Sequence, residues 1–192
     1  MTTIYTAQGK VLKNTATDKW LIKSITPPTP PVPVFDEVTI GSQTWMSKNL
    51  AIDDGGEGIY TQTVNYGQGD VVEYYYTWEA ALRVVASIPG WHLPNTSEFG
   101  VLSTTAGNSS NLKATYGWAT PGSDTYGFAI LPAGIYSSGS FISFGSYTGF
   151  WTSVEYTSTS SYEYELGNTG IFSSSTRNKA YGYSIRLIKD AT

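Results

Sequence analysis

Few side chains in this sequence are of the types that make or break bonds, and their spacing decides what they can do. His92 is the single histidine among 192 residues, and there is no cysteine. A Ser-His-acid triad would have to use His92 as its base, yet no serine sits in a nucleophile-elbow pattern. Within Gly90-Trp91-His92-Leu93-Pro94, directly before a helix cap, His92 reads as a hydrogen-bonded structural residue, since no second histidine or thiol completes a site with it. The carboxylates Asp53, Asp54, Glu57 and Asp70 fall in Gly-rich stretches and offer oxygen ligands of the kind Ca²⁺ takes. Their spacing matches no EF-hand, so a solvated acidic loop is expected, with no metal and no other cofactor. These residues favour a non-enzymatic protein.

Residues 135 to 183 carry a different chemistry. Tyr136, Tyr147, Tyr156, Tyr162, Tyr164, Tyr181 and Tyr183 are set among hydroxyl-rich runs such as Thr157-Ser158-Thr159-Ser160-Ser161. Tyrosine gives broad amphipathic contact area at small entropic cost, and Ser, Gly and Asn give adaptable hydrogen bonds, as in antibody binding loops. The candidate ligand-binding residues are Tyr147, Tyr156, Tyr162, Tyr164, Asn168, Arg177, Asn178 and Tyr181, for a glycan or a protein surface. The other reading is a Gly/Ser-rich β region whose tyrosines pack as sheet residues, and roughly half of them are expected in the core.

The elements that must position these residues form an α+β pattern. Thr77 caps a helix in which Trp78, Ala81, Leu82 and Val85 make one apolar stripe, with Glu79 and Arg83 four apart on the other face. A second helix starts at Asn95, where Glu98 completes a capping box, Phe99 and Leu102 face inward, and Gly107 stops it. Asn111 to Trp118 adds a short helical turn. Val38 to Met46 reads as a strand pair around Gly41-Ser42, and residues 51 to 70 as surface loops. Phe128 to Pro132, Gly149 to Val154 and Tyr183 to Ile188 read as strands, and the first and last strands of the domain are free to pair.

Ahead of this domain, five of the nine prolines fall between Pro27 and Pro33, a composition that favours an extended polyproline spacer. Three parts are expected: an attachment segment over 1–26, a linker over 27–35 and a binding domain over 36–192. Lys10 to Lys13 and Lys19 to Ile22 flank a polar turn and read as a hairpin. So short a segment cannot bury a core alone, so Val11, Leu12, Trp20, Leu21 and Ile22 are the candidate attachment residues for another protein.

Hydrophobic residues at 40% and charged residues at 14% place the chain among globular proteins. Eleven Lys and Arg against fifteen Asp and Glu, scattered along the sequence, leave no basic footprint, so nucleic acid is not an expected partner. No stretch approaches the roughly 20 apolar residues of a membrane span. The first ten residues lack a basic start followed by an apolar run and do not read as a secretory signal, so work outside a cell would require carriage on a larger assembly or release by lysis.

Six blocks occur in a recognisable order: Ile40 to Leu50, Tyr76 to Ala81, Gly90 to Pro94, Gly127 to Gly134, Phe150 to Ser153 and Ser184 to Asp190. Together they resemble the Fibrobacter succinogenes major paralogous domain over roughly residues 38 to 190. The resemblance implies a C-type-lectin-like fold with two main helices and small antiparallel sheets, similar also to formylglycine-generating enzymes. Those enzymes use cysteines to bind copper, so that activity does not transfer to a cysteine-free chain. The Glu-Pro-Asn type of triplet associated with calcium-dependent sugar binding is absent as well. With an attachment segment where family members carry an export signal, the organisation resembles a tailed-phage fibre-tip or capsid decoration protein. Its expected partners are other virion proteins through the N-terminal segment and a host-surface or gut glycan or protein through the head, with a homo-oligomer compatible with such symmetry. The expected location is the virion, outside the cell, the alternative being a secreted or surface-bound bacterial carbohydrate-binding module.

Overall fold

A computed structural model describes strands Thr3–Thr6, Gly9–Asn14 and Lys19–Ile22 together with residues 33–191. The chain divides into two compact units, Met1–Pro33 and Val34–Thr192. In the first, β1 (Thr3–Thr6), β2 (Gly9–Asn14) and β3 (Lys19–Ile22) form an antiparallel sheet in that order. The expected hairpin is thus extended by a strand: Thr3-Ile4-Tyr5-Thr6 is rich in β-branched and aromatic residues and pairs with Leu12 back to Gly9. Val11 stands opposite Ile22, Leu12 opposite Leu21 and Lys13 opposite Trp20. The side chains of the five attachment candidates lie outside the described residues, as does the linker before residue 33.

The second unit is α+β, with two helices and several small antiparallel sheets. Helix α1 (Trp78–Val85) starts where the Thr77 hydroxyl accepts from the Ala80 N–H at 3.3 Å, and it buries Trp78, Ala81, Val84 and Val85. Arg83 on its outer face takes Asp54 as its acid partner, with Nε–Oδ2 at 2.8 Å. Helix α2 (Thr96–Ala106) opens on a reciprocal capping box: the Glu98 N–H donates to Asn95 Oδ1 at 2.9 Å and the Asn95 N–H to Glu98 Oε2 at 2.8 Å. It ends at Gly107, whose φ of +69° suits a residue without Cβ.

Strands β4 (Glu37–Ile40) and β5 (Gln43–Met46) make the expected hairpin around Gly41-Ser42. They join β14 (Ile188–Lys189) and β8 (Trp91–His92) in a sheet of order β4-β5-β14-β8, so the start and end of the unit meet where Trp45 pairs with Ile188. Part of the stretch read as loops is strand. β6 (Ile59–Asn65) pairs residue by residue with β7 (Asp70–Tyr76), because Ile59, Tyr60, Thr61, Thr63 and Val64 favour extension despite their Gly- and Asp-rich flanks. β9 (Ile135–Ser137) and β10 (Ser140–Ile142) form a second hairpin, and β11 (Tyr147–Thr157), β12 (Ser160–Gly167) and β13 (Ser173–Asn178) an antiparallel sheet.

Two expected strands do not form as such. Phe128 to Pro132 makes only a bridge from Ile130 to Lys113, because Ala129 at φ +50° breaks the extension. Tyr183 to Ile188 is used one residue at a time, Tyr183 bridging to Tyr76 and Ser184 to Phe150 before β14 begins. The helical turn expected from Asn111 onward is a 3-10 turn over Ser109–Asn111 instead.

Strand β11 divides the core. Successive side chains of a strand point to opposite faces, and here Phe150 joins the cluster around α2 (Phe99, Leu102, Trp45, Phe128) while Trp151 joins the one around α1 (Trp78, Ala81, Val84, Leu187). Indole N–H groups lock these clusters to the backbone: Trp151 donates to the Tyr76 carbonyl at 2.7 Å and Trp78 to that of Thr152 at 2.8 Å. Gly134 joins the second hairpin to β11, its N–H donating to the Tyr147 carbonyl at 2.7 Å. Its φ is +73°, and an added Cβ would lie 2.4 Å from the Ile142 carbonyl oxygen. Gly134→Ala is therefore expected to cost about 2–3 kcal/mol in urea unfolding; an unchanged midpoint would show that this junction is not under such constraint.

Candidate functional site

The sheet β11-β12-β13 carries most of the expected ligand-binding residues but does not gather them into one surface. Tyr156, 57% exposed, meets Tyr162 edge to face at 5.2 Å near the β11–β12 turn, beside the hydroxyls of Thr157 and Ser160. Asn178 is exposed and Tyr181 half-buried, but Asn178 turns its side chain back to the Ala180 N–H at 2.9 Å. Tyr164 is a core residue. Strand alternation turns it with Leu166 toward α2, where its ring stacks on Phe99 at 5.0 Å and its hydroxyl donates to the Thr96 carbonyl. Asn168 lies past the far end of β12, six residues or about 20 Å of extended chain from Tyr162, and its carbonyl accepts from Lys113 Nζ at 2.8 Å.

Tyr147 and Arg177 do come together, on the opposite face, through Glu165. The Tyr147 hydroxyl and Arg177 Nη2 both donate to Glu165 Oε2 at 2.7 Å. Behind them lies Glu163, with no solvent exposure, and Tyr183 beside it. Burial raises Glu163 to about 9, reinforced by its hydrogen bond to Glu165 and that residue's charge, while Arg177 pulls the other way. Burial likewise drives the phenols of Tyr147 and Tyr183 well above their ordinary range. Glu163 and Tyr183 are thus a buried polar layer, over which Tyr147, Glu165 and Arg177 lie half-buried.

The best-formed concave site is elsewhere, and sequence reasoning passed over it. A cavity of 530 Å³ opens beside β7, with Leu50, Val71, Val72, Ala129 and Leu131 as apolar walls. Its polar lining residues include Ser47, Lys48 and Tyr116, and three others, Asn49, Glu73 and Arg186, form one network. Arg186, 1% exposed, donates from Nη2 to Asn49 Oδ1 at 2.8 Å and from Nη1 to the Phe128 carbonyl. Asn49 Nδ2 donates to Glu73 Oε2 at 3.1 Å, and Glu73 Oε1 accepts from the Tyr66 hydroxyl at 3.0 Å. Burial lowers Arg186 to about 10, opposed by the charges of Glu73 and Asp124, so it stays a cation at neutral pH. Burial, with the charge of Glu73, also keeps the Tyr66 phenol protonated far above neutrality.

His92 sits between two acids, Nδ1 2.6 Å from Asp190 Oδ1 and Nε2 2.9 Å from Glu98 Oε1. Burial disfavours its cation, but the hydrogen bonds and charges of Glu98 and Asp190 outweigh this and raise its pKa above 6.5. It ties the α2 capping box to the end of the unit. In the acidic loop, Asp53 and Asp54 accept from the N–H groups of Gly55 and Gly56, and Asp70 accepts from Asn65. Among the described residues no three acidic or histidine side chains are grouped to hold a metal ion, and no helix is long and apolar enough to cross a membrane.

A family model described as the Fibrobacter succinogenes major domain matches residues 38–189. The chain belongs to this family. The match begins in β4, ends in β14 and takes in the whole cavity network of this Fibrobacter succinogenes major domain. No match was found among curated proteins or among solved structures. Asn49 and Arg186 lie in two of the six sequence blocks, Ile40 to Leu50 and Ser184 to Asp190; Arg186, a charge between Ile185 and Leu187, carried a signal of burial, whereas Asn49 among Ser47 and Lys48 carried none.

Glu163 gives the domain a pH signature. Unfolded, its carboxyl titrates near the ordinary 4.5, and folded at about 9, so between these values the folded chain holds the extra proton and stability falls as pH rises. In Glu163→Gln that loss should shrink by about 1 kcal/mol or more between pH 5 and pH 8.5, measured by urea unfolding. Equal losses in parent and variant would mean that another group holds the proton.

Proposed function

We propose that this chain is a non-enzymatic recognition protein of a phage particle, set at a fibre tip or on the capsid surface. In this reading residues 1–26 attach to other virion proteins, and residues 36–190 form a C-type-lectin-like head that binds a host-surface glycan or protein outside the cell. The α+β architecture, with two helices and small antiparallel sheets, is consistent with a lectin-like head, and the separate compact unit at the N-terminus with an attachment role. The observation that carries recognition is the Tyr156–Tyr162 pair, an aromatic platform of one exposed and one half-buried ring with the hydroxyl groups of Thr157 and Ser160 in the adjoining turn. A non-enzymatic role is supported by the cavity network, in which Asn49, Glu73 and Arg186 direct their hydrogen bonds at one another instead of at a reacting centre. Symmetric assembly of several copies would add avidity to a weak single site.

Family membership favours a second reading equally well, a secreted or surface-bound carbohydrate-binding module. Two measurements on the full chain separate the readings. On a glycan array the chain should bind, and Tyr156→Ala and Tyr162→Ala should each weaken binding about tenfold, the effect of truncating one central aromatic contact. In particle fractionation the full chain should travel with virions, and a chain lacking residues 1–26 should not. Glycan binding without particle association would support the secreted module, and failure of both would remove the recognition reading.

A further inference from the structure

The cavity network has unspent hydrogen-bonding capacity, most plainly at its buried guanidinium. Arginine has five N–H donors and no acceptor, whereas a carboxylate only accepts. Asn49, placed between Arg186 and Glu73, must therefore turn its carbonyl oxygen to the guanidinium and its amino group to the carboxylate, as the 2.8 Å and 3.1 Å contacts record. Each Glu73 oxygen then accepts one bond, from Asn49 and from Tyr66. Arg186 Nε has no hydrogen-bond partner among the described residues. A buried donor left unmatched is destabilising, and an incoming acceptor would relieve it.

We propose that this cavity is a binding site for a small molecule with an apolar body and a carbonyl or carboxylate oxygen, the oxygen taken by Arg186 and the body by the walls. At 530 Å³ it falls in the size range of small-ligand sites, and it combines apolar walls with a few convergent polar groups as such sites do. Among the lining residues Arg186 and Lys48 are cations and Glu73 is the anion, so a carboxylate suits the site and a neutral carbonyl suffices for the Arg186 donor. An amine would bring a further cation to a lining that already holds Arg186 and Lys48, while Glu73 is already bonded to Asn49 and Tyr66. A free sugar, with hydroxyls on all sides, would set several of them against Leu50, Val71, Val72, Ala129 and Leu131, beyond the reach of the few polar lining groups. Val71 and Val72, 43% and 48% exposed, leave apolar surface accessible at the cavity for the body of such a ligand. The site belongs to the head alone and does not depend on the chain's attachment to a particle or on the tyrosine platform.

The test is a methyl NMR titration of the full chain with hexanamide, hexanoate, hexylamine and glucose. Hexanamide and hexanoate should shift the Leu50, Val71 and Val72 methyl resonances saturably, with Kd on the order of 1 mM for ligands of this size; hexylamine and glucose should not. Val72→Trp, at a half-exposed strand position that tolerates a larger side chain, should weaken hexanamide binding about tenfold while the thermal melt stays unchanged. Arg186→Lys should weaken it as well, and if that variant fails to fold, Val72→Trp still decides. No shift at the solubility limit of hexanamide, equal binding of hexylamine or glucose, or full binding by Val72→Trp would each overturn the proposal.

Discussion

A guanidinium sealed from water is among the costliest groups to place in a protein interior, with a desolvation penalty of several kcal/mol that only close partners offset. Arg186 meets this penalty with the Phe128 carbonyl, the Asn49 amide, the nearby charge of Glu73 and the faces of Phe128 and Phe150, at 4.4 and 5.5 Å. These partners come from segments far apart: Asn49 is 137 residues away and Phe128 is 58. The charge is satisfied only when the C-terminal segment, the turn after β5 and the loop before β9 are all in place. Arg186 therefore makes closure of the head close to all-or-none, and the same residues hold open the cavity that they line.

Around this centre the head is organised by strand alternation. β11 sends Phe150 to one helix and Trp151 to the other, and β12 sends Tyr164 and Leu166 to α2 while Glu163 and Glu165 face the polar cluster with Tyr147, Arg177 and Tyr183. The sheet is thus fixed on both sides. Surface for contact is left at its hairpin end, where Tyr156 and Tyr162 stand, and, away from the sheet, at the valine-lined opening by β7. Both lie on a rigid scaffold, which limits the ordering cost of binding.

Local chemistry was legible in the sequence. Thr77, Asn95 with Glu98, and Gly107 act within a turn of their own positions, and the structure has all of them where their spacing put them. The Gly41-Ser42 hairpin and the strand through Phe150 and Trp151 were equally readable. Non-local decisions were not. The last strand, β14, pairs with the second strand of the unit, β5, and not with the first, β4. Tyr164 and Tyr156 sit in similar Ser- and Tyr-rich surroundings, and only the register of β12 against α2 makes one core and leaves the other exposed. β6 was hidden by Gly- and Asp-rich neighbours, since its pairing with β7 depends on residues up to 17 positions away. The cavity was hidden for the same reason, being assembled from residues as distant as Asn49 and Arg186.

The pairing of β5 with β14, backed by Lys189 Nζ at 2.7 Å from Glu37, brings the way in and the way out of the head to a single edge. A fold with neighbouring ends behaves like a plug-in cassette. It can be spliced into an exposed loop of a carrier, or permuted to open elsewhere, without stretching the host backbone. Evolution can therefore move such a head between unrelated carriers by recombination at that one edge while the cavity and the aromatic platform travel intact.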